Sequence, residues 1–585
     1  MTGYTAESLL SDALDHGDAH DLLQQYLPGL ISSPLLAQMR LMPLGQVVAF
    51  GGSHLDDGAV ERLWASLAAV EATVAAPRVE APAIDPDPAY EASSVERGSA
   101  VPRHPDAVER WRVFELSLDG PDHGNPFVDV DLHATFTSGG GAEVRVGGFY
   151  DGGGRYVVRY LPPEDGEWTF VTDSTARSLD GVAGAFTVTG PAPDNHGPVR
   201  VADTFHFAHA DGTRHLPLGT TAYAWTHQPD ELQEQTLDTL AASPFTKLRM
   251  CLFPKAYLFN TNDPDRYPFV QREDGSFDLA RFDPEYFARL EERLRRLDAL
   301  GVQADLILFH AYDRWGFSDL GRAADDRYLR YVVRRLAAFA NVWWSLANEY
   351  DLLRAKTEDD LERFAAIVGE EDPSGHLLSI HNCFGFYDHS RPWVTHASVQ
   401  RVDVYRTAEN TDEWREQWGK PVVIDECAYE GDIDQGWGNI SGEELTRRFW
   451  EGAVRGGYVG HGETYLNDRE ELWWSKGGEL VGTSPDRIRF LAEITAESPT
   501  GVLEPLPSDW DVRWGGVAGR YLIAYFGFGR PRYRDVVRTA GVRYTVDVID
   551  TWNMTIDRLP GEYEGAFRVP LPGREHMAIR LIAVE

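Results

Sequence analysis

The spacing of hydrophobic residues changes several times along the chain, and each change predicts a different kind of structure. In residues 1–75 the apolar positions recur at helical spacing, as at Leu10 and Leu14, which predicts a small helical module. Residues 76–104 lack an apolar period and are rich in proline, alanine and acidic residues, which indicates a linker. Residues 105–200 alternate apolar and polar positions between glycine-rich turns, which is typical of a β-sandwich.

Residues 201–500 alternate short apolar runs with amphipathic helical patterns, and this arrangement predicts a (β/α)8 barrel. Helical patterns over 284–300 and 327–339 precede the third and fourth strands. Residues 501–585 return to a period of two and predict a C-terminal β-sandwich domain. The fold class is therefore α/β, a TIM barrel flanked by β-sandwich domains, with the helical module at the N-terminus. The barrel strands are assigned to 216–220, 247–253, 302–309, 342–347, 377–380, 397–400, 421–425 and 458–465.

Two of the predicted strands run directly into a glutamate. The stretch NVWWSLANEYD contains the fourth strand and continues into Asn348 and Glu349, and the seventh strand, PVVID, is followed by Glu426. In a (β/α)8 barrel these strand ends meet at the face that carries the catalytic residues. A retaining glycosidase needs two carboxyl groups about 5–5.5 Å apart, one as acid/base and one as nucleophile. We therefore predict that Glu349 and Glu426 line one active site.

This pairing of glutamates on strands four and seven resembles the clan-A-like retaining glycoside hydrolases. From about residue 105 to residue 585 the chain is similar to bacterial cellulase-like and apiosidase-like glycosidases, in which β-sandwich domains flank the barrel. The resemblance implies that Glu349 is the acid/base and Glu426 the nucleophile. It also implies that Asn348 binds the sugar 2-hydroxyl, and that Arg249 lies beside Glu426 and keeps it ionised.

The resemblance is incomplete after strands six and eight. Many clan members carry a tyrosine after strand six and a tryptophan after strand eight, whereas this chain has Gln400 at the first place and Glu463 with Tyr465 at the second. These departures leave the identity of the sugar open. Glu463 could bind hydroxyl groups, or could itself be the catalytic acid.

Polar and aromatic residues near the strand ends are the further candidates for binding sugar, although each could instead pack in the core. Trp473 and Trp474 form the strongest candidate platform, because aromatic faces pack well against apolar surface. With Asn348 and Arg249, the predicted substrate-binding residues are Tyr223, Trp225, His310, Tyr312, His381, Glu463, Trp473 and Trp474.

The composition of the chain limits the kinds of partner and cofactor that we expect it to bind. A formal charge of −37 over 585 residues disfavours nucleic acid and anionic membrane surfaces, and it suits a neutral substrate. The first twenty residues lack the basic and apolar regions of a signal peptide, which predicts a cytoplasmic protein. The three cysteines, Cys251, Cys383 and Cys427, are odd in number and have no zinc-binding spacing. No metal or other cofactor is expected.

We predict a retaining glycoside hydrolase that removes the terminal sugar of oligosaccharides through a glycosyl-enzyme intermediate. The resemblance favours pentofuranosides, apiosides or galactosides. The loops at 254–282 and 466–480 are long and aromatic, and loops of this kind should close the cleft into a pocket. The expected partner is the oligosaccharide, and the helical module is expected to have a packing role or to support a homo-oligomer.

Two other functions remain compatible with the pattern. The first is a metal-dependent barrel hydrolase, because His310, His381 and His461 follow or lie within strands. Such enzymes usually carry a His-x-His pair on strand one, whereas His206 and His209 precede that strand and have two residues between them. The second is a carbohydrate-binding protein without catalysis, which the presence of both glutamates disfavours.

Overall fold

The computed structural model describes the whole chain except residues 1–2, 7, 34–35, 41, 53–54, 71–83, 88, 404–405, 539 and 585. The predicted fold class is confirmed: a (β/α)8 barrel is flanked by β-sheet domains, with a helical module at the N-terminus. Within the described ranges, no helix is long and apolar enough to cross a membrane.

The N-terminal module has its own hydrophobic core, built around leucines such as Leu23 and Leu63. Residues 84–87 and 89–101 contain no helix or strand and run along the next domain, where Glu91 accepts hydrogen bonds from the backbone and hydroxyl of Ser178, both at 2.7 Å. The first strand of that domain begins at Pro102, inside the predicted linker. The helices of the module are Leu10–Leu14, Gly17–Tyr26, Pro28–Ile31, Leu36–Met39, Leu44–Gly51 and Asp57–Ala69.

The domain before the barrel is an eight-stranded sheet that folds over on itself. Phe114 and Phe186 lie on strands near opposite edges of the sheet, yet their rings stack with centroids 3.7 Å apart, so the two halves face each other around one core. A short helix, Pro126–Asp129, follows the third strand. The strands are Pro102–Arg103, Ala107–Glu109, Phe114–Asp119, Leu132–Ser138, Glu143–Tyr150, Arg155–Tyr160, Gly166–Ser174 and Ala183–Thr189.

The barrel strands are parallel and follow one another in chain order around the barrel. Ladders join every neighbouring pair except the fifth and sixth strands, where the described residues form none and the side chain of Asn382 instead bonds the backbone of Gln400 at 3.1 and 3.2 Å. The strands are Gly219–Thr221, Lys247–Cys251, Gln303–His310, Val342–Asn348, Leu378–Ser379, Ala397–Gln400, Val422–Glu426 and Tyr458–His461.

The eighth strand is shorter than predicted. It ends at His461, and Glu463–Thr464 pairs with Glu430–Gly431 in a separate two-stranded sheet. Beneath the barrel, Phe207 of a small sheet packs on Trp343 at the start of strand four. The sheet comprises Val199–Ala202, His206–His209 and Arg214–His215, and a further pair comprises Phe269–Gln271 and Phe277–Phe282.

Capping residues set where several barrel helices begin. Asp283 accepts the backbone N–H of Glu285 at 3.0 Å and precedes Pro284, a residue suited to the first turn. Thr357 and Asp360 form a reciprocal capping box. The helices are Asp230–Ala242, Pro284–Ala299, Arg322–Leu336, Glu358–Glu371, Thr411–Trp418, Gly442–Val454, Trp473–Lys476 and Ser484–Ala496.

The C-terminal domain packs on the last barrel helices. Tyr525 stacks on Trp450 with ring centroids 5.4 Å apart, and the Tyr521 hydroxyl donates to the Ile494 carbonyl at 2.6 Å. Six of its strands form one sheet, and Tyr533–Val537 pairs with Ala566–Pro570. The six are Glu504–Leu506, Arg513–Val517, Tyr521–Tyr525, Tyr544–Asp550, Thr555–Arg558 and Met577–Ala583.

A buried ion cluster joins the folded sheet domain to the barrel. Glu291, on a barrel helix, accepts two hydrogen bonds from Arg159 of the sheet domain, at 2.7 and 2.9 Å, and another from Arg335 of the next helix. All three side chains are at most 5% exposed. Arg159 also pairs with Glu115 at 2.9 Å and Arg335 with Asp151 at 2.7 Å, so the two buried arginines share Glu291 and each has a further carboxylate partner.

Glu291→Ala should lower the free energy of unfolding by about 1.5–3 kcal/mol, because it removes charge-assisted hydrogen bonds from two buried guanidinium groups, which keep only Glu115 and Asp151 as carboxylate partners. Glu292→Ala is the control: its side chain is 47% exposed, so the change should stay within about 0.5 kcal/mol. Urea unfolding followed by circular dichroism measures both. Equal midpoints for the two variants would contradict the assigned importance of this cluster.

Candidate active site

Strand four delivers Glu349 to the C-terminal face of the barrel in a strained conformation. All residues of Val342–Asn348 are buried, and Glu349 follows with φ 50° and ψ 57°, in the left-handed region. Such a backbone costs a non-glycine residue about 1–3 kcal/mol and is concentrated at functional sites. The strain turns the carboxyl group of Glu349 to a different direction from the preceding side chains of the strand.

A chain of hydrogen bonds connects the two glutamates. The Tyr223 hydroxyl contacts Oε1 of Glu426 and lies 3.2 Å from Oδ1 of Asn348. Arg249 donates to the same Asn348 oxygen at 2.9 Å, while the Asn348 amide nitrogen donates to Oε2 of Glu349 at 3.3 Å. Hydrogen bonds to the oxygen and from the nitrogen of its side-chain amide therefore fix the orientation of Asn348.

Gln400, at the end of strand six, limits the distance between the two carboxyl groups. In the orientation that satisfies both ends of its side-chain amide, the nitrogen donates to Oε1 of Glu349 and to Oε2 of Glu426, each at 3.2 Å. These two oxygens are therefore no farther apart than twice that distance. This limit accommodates the spacing of about 5–5.5 Å between the carboxyl groups of retaining glycosidases.

The surroundings of Glu349 favour its protonated form. Burial, followed by the negative charge of Glu426, raises the pKa of Glu349 to about 7, against the opposing effects of the Lys255 charge and of hydrogen bonds from Tyr312 and Cys383. A carboxyl group with this pKa can hold a proton near neutral pH and release it during a reaction, which is what a general acid must do.

Both glutamates open into one cavity of about 300 Å³. Its floor is buried, since Glu349, Glu426 and Tyr223 are at most 7% exposed, whereas Phe384 and Val402 near its opening are 51% and 42% exposed. The lining residues are Met39, Met42, Tyr223, Lys255, Tyr257, Tyr312, Glu349, Leu352, Cys383, Phe384, Gln400, Val402, Glu426, Tyr429, Gln435, Trp437 and Trp474.

Lys255 places an ammonium group within a ring of aromatic side chains in this cavity. Its Nζ lies 3.6 Å from the ring centre of Tyr223, 4.5 Å from that of Tyr312 and 4.8 Å from that of Trp474. Burial lowers the pKa of Lys255, and the charges of Glu349 and Glu426 oppose that shift. Cation–π attraction holds the ammonium in a position to donate hydrogen bonds into the cavity.

Arg249 does not pair with Glu426 as expected. Its guanidinium lies 3.3 Å from Asp305 and donates to Ser345 and Asn348, because the interior of the barrel holds a layer of opposite charges beneath the site. In that layer Lys247 bonds Asp305 at 2.6 Å and Asp425 at 2.7 Å. Arg249 therefore positions Asn348 and does not line the cavity.

The predicted aromatic residues divide between the cavity and the core. Tyr223, Tyr312 and Trp474 line the cavity. Trp225 lies in the hydrophobic core and donates to the sulfur of Met250 at 3.3 Å, so the expectation that it binds substrate is wrong. Trp473 is also a core residue, and its indole N–H donates to Thr220 at 2.8 Å. Adjacent residues on a short helix point in different directions, so Trp474 is the member of this pair that lines the cavity.

The other polar candidates lie outside the cavity lining. His310 is 2% exposed and contacts the carbonyl of Phe253 at 3.2 Å, and His381 is fully buried within the barrel. Glu463 accepts the backbone N–H of Val481 at 2.6 Å because its segment leaves the barrel after His461. Burial raises the pKa of Glu463 to about 7, but this acid is separated from the other two. The expectation that these three residues contact substrate is therefore wrong.

Several lining residues were not anticipated from the sequence. Lys255 and Tyr257 follow strand two, and Tyr429 follows Glu426 by three residues, so position after a barrel strand was an available signal for these. No comparable signal marks Met39 and Met42, which belong to the N-terminal module. Among the described residues, no three His, Cys, Asp or Glu side chains lie close enough to hold a metal ion.

Comparison with known proteins agrees with this geometry. The apiosidase-like catalytic domain family matches residues 202–476, and two families of domains of unknown function, DUF5060 and DUF5605, match residues 107–175 and 510–582. No curated protein matches the chain.

A crystal structure from Bacteroides vulgatus, of a protein provisionally named a glycoside hydrolase, is 37% identical. The match covers 82% of this chain and all of that one, with a TM-score of 0.78. A family 5 glycoside hydrolase from the same organism, at 14% identity and TM-score 0.53, matches over 67% of this chain and 94% of its own. Another glycoside hydrolase, at 13% identity and TM-score 0.50, matches over 67% and 98%. The matches at 14% and 13% identity show that the fold is shared. The chain belongs to the clan-A-like glycoside hydrolases that carry an apiosidase-like catalytic domain.

Proposed function

We propose that this glycoside hydrolase cleaves with retention of configuration, by double displacement, and releases the terminal sugar of its substrate. The contact of one Gln400 amide nitrogen with both Glu349 and Glu426 carries the proposal, because two carboxyl groups that share one donor are compatible with the short separation of a retaining pair.

In the first step, Glu426 attacks the anomeric carbon while Glu349 gives its proton to the departing oxygen. Tyr223 donates a hydrogen bond to the carboxylate of Glu426, which orients it for attack. In the second step, Glu349, now deprotonated, removes a proton from water as the water attacks the same carbon. Two inversions at one carbon give net retention.

The floor of the cavity suits a single sugar. Trp474 offers an aromatic face and Lys255 offers hydrogen-bond donors, so both can contact the sugar whose bond is cleaved. An enclosed floor admits the end of a chain rather than its middle. The apiosidase-like match supports a pentofuranoside such as an apioside, with galactosides as the next class. The cytoplasmic location stays a prediction.

The anomer released first should have the configuration of the substrate, and NMR at early times on a cleavable glycoside measures it. Initial release of the opposite anomer would overturn the two-step mechanism.

Glu349→Ala and Glu426→Ala should each reduce kcat/KM by at least about a hundredfold, as expected for loss of general acid–base or nucleophilic catalysis. On an aryl glycoside with a good leaving group, azide should restore turnover of the Glu349 variant and give a glycosyl azide of retained configuration. A small anion can attack the glycosyl-enzyme without help from a base. A retained azide product from the Glu426 variant would mean that the two roles are reversed.

The rate should fall as pH rises through about 7, because Glu349 must be protonated to act and its pKa is raised to about that value. Lys255→Met should move this limb to higher pH, since the Lys255 charge lowers the pKa of Glu349. The pH profile of kcat/KM on a glycoside with a poor leaving group measures both. Glu463→Gln is the control, because Glu463 also has a pKa of about 7: loss of the limb in that variant would assign the acid to Glu463.

A further inference from the structure

Two methionines of the N-terminal helical module line the catalytic cavity. Met39 ends the helix Leu36–Met39, and Met42 follows it at the start of the next turn. The module holds this segment through backbone hydrogen bonds, from Met42 to the Met39 carbonyl at 2.9 Å and from Leu10 to the Met42 carbonyl at 3.0 Å. The three family matches begin at residue 107, so these methionines lie outside the matched domains.

The methionines lie at the opening of the cavity rather than at its floor. The floor consists of buried barrel residues, whereas Met39 and Met42 are partly exposed and come from a module outside the barrel. Phe384 and Val402, both more than 40% exposed, line the same region. The opening of the cavity therefore presents four apolar side chains to whatever extends out of the catalytic floor.

Phe384 is held in this exposed position by a specific backbone clamp. Asp351 accepts hydrogen bonds from three consecutive backbone N–H groups, those of Cys383, Phe384 and Gly385, at 2.7 to 3.0 Å. Asp351 lies two residues after Glu349, so the clamp attaches the loop directly to the acid/base segment. A large apolar side chain kept exposed beside a catalytic cavity indicates a ligand contact.

Two apolar lining residues, Leu352 and Phe384, belong to segments attached to Glu349, on the side of the leaving group. Leu352 donates its backbone N–H to the carbonyl of Glu349 at 2.9 Å, and Cys383, which precedes Phe384, hydrogen-bonds the Glu349 carboxyl. The acid of a retaining glycosidase protonates the oxygen of the departing group, so that group leaves past the acid. Tyr223, a candidate for binding hydroxyl groups, instead contacts Glu426 at the floor.

We propose that Met39, Met42, Leu352, Phe384 and Val402 form a leaving-group subsite for an uncharged aromatic aglycone, completed by the N-terminal module. A sugar in this position would need polar partners for its hydroxyl groups, whereas methionine and phenylalanine side chains pack favourably on an aromatic ring. The inference rests on the proposed function, because it identifies the side of the cavity through the role of Glu349.

Methionine methyl NMR tests the subsite without relying on activity. The chain has six methionines, so ¹³C-methyl labelling gives few signals, and Met→Leu variants assign them. Addition of 2-phenylethanol should shift the Met39 and Met42 signals in a saturable manner through the ring current of the probe. Met554 and Met577, in the C-terminal domain, serve as internal controls and should not move. Glycerol at equal concentration should leave all signals in place. Absence of a saturable shift at both Met39 and Met42, or an equal response to glycerol, would overturn the subsite.

Hydrolysis then tests whether the subsite receives the leaving group. The probes are 2-phenylethyl and ethyl glycosides of apiofuranose, arabinofuranose and galactose, whose alcohols are similar leaving groups. The aromatic member of a cleaved pair should have the higher kcat/KM by about tenfold or more, since even one apolar group in a pocket discriminates by about 10–200-fold. Met39→Gln/Met42→Gln should bring the ratio of the aromatic to the ethyl kcat/KM towards one, and Met554→Gln should leave that ratio unchanged.

The NMR experiment and the hydrolysis experiment together distinguish failure of the proposed subsite from failure of the proposed function. Equal kcat/KM for the aromatic and ethyl members would overturn the subsite while leaving the glutamate mechanism standing. Methyl shifts with inversion of configuration, or with turnover that survives both glutamate substitutions, would overturn the mechanism and with it the assignment of the subsite to the leaving group.

Discussion

The repulsion between two carboxyl groups buried in one cavity is the constraint on which the rest of the site depends. Both cannot carry a full charge in a dry environment at short distance, so one of them must hold a proton. Here burial and the charge of Glu426 raise the pKa of Glu349 to about 7. The surrounding donors, Tyr223, Asn348 and Gln400, limit how far the two groups can move apart.

The layer of buried charges beneath the site positions a residue beside Glu349. Lys247 and Arg249 neutralise Asp305 and Asp425 inside the barrel, and Arg249 extends from this layer to the oxygen of Asn348. A fully buried ion layer contributes little net stability on its own, since desolvation offsets the attraction. Its observable effect is geometric, because Arg249 fixes the side-chain amide of Asn348, which lies beside Glu349.

The flanking domains bear on catalysis to different degrees. The folded sheet domain meets the barrel through Glu291 and two arginines, far along the chain from the glutamates, and so supports the barrel helices. The helical module reaches the opening of the cavity with Met39 and Met42. The addition of a module at the opening changes the space available to the leaving group without altering the barrel.

The order of elements, and the meeting of Glu349 and Glu426 in one cavity, could be predicted from the sequence alone. Strand period, helix period and turn residues are local properties, and a glutamate at the end of a buried strand has few structural reasons to be there. Three predicted site residues, Tyr223, Tyr312 and Trp474, also line the cavity, and so does Gln400, which had been noted only as a departure from the family pattern.

The tertiary structure decided which neighbours face the cavity. Trp473 and Trp474 are adjacent in sequence, yet one is a core residue and the other lines the site, because a helical turn points consecutive side chains in different directions. Glu463 was misplaced because strand eight ends at His461, which depends on pairing with Glu430–Gly431. Met39 and Met42 could not be assigned because a contact between residues more than 300 positions apart, across separate domains, leaves no periodic mark in either segment.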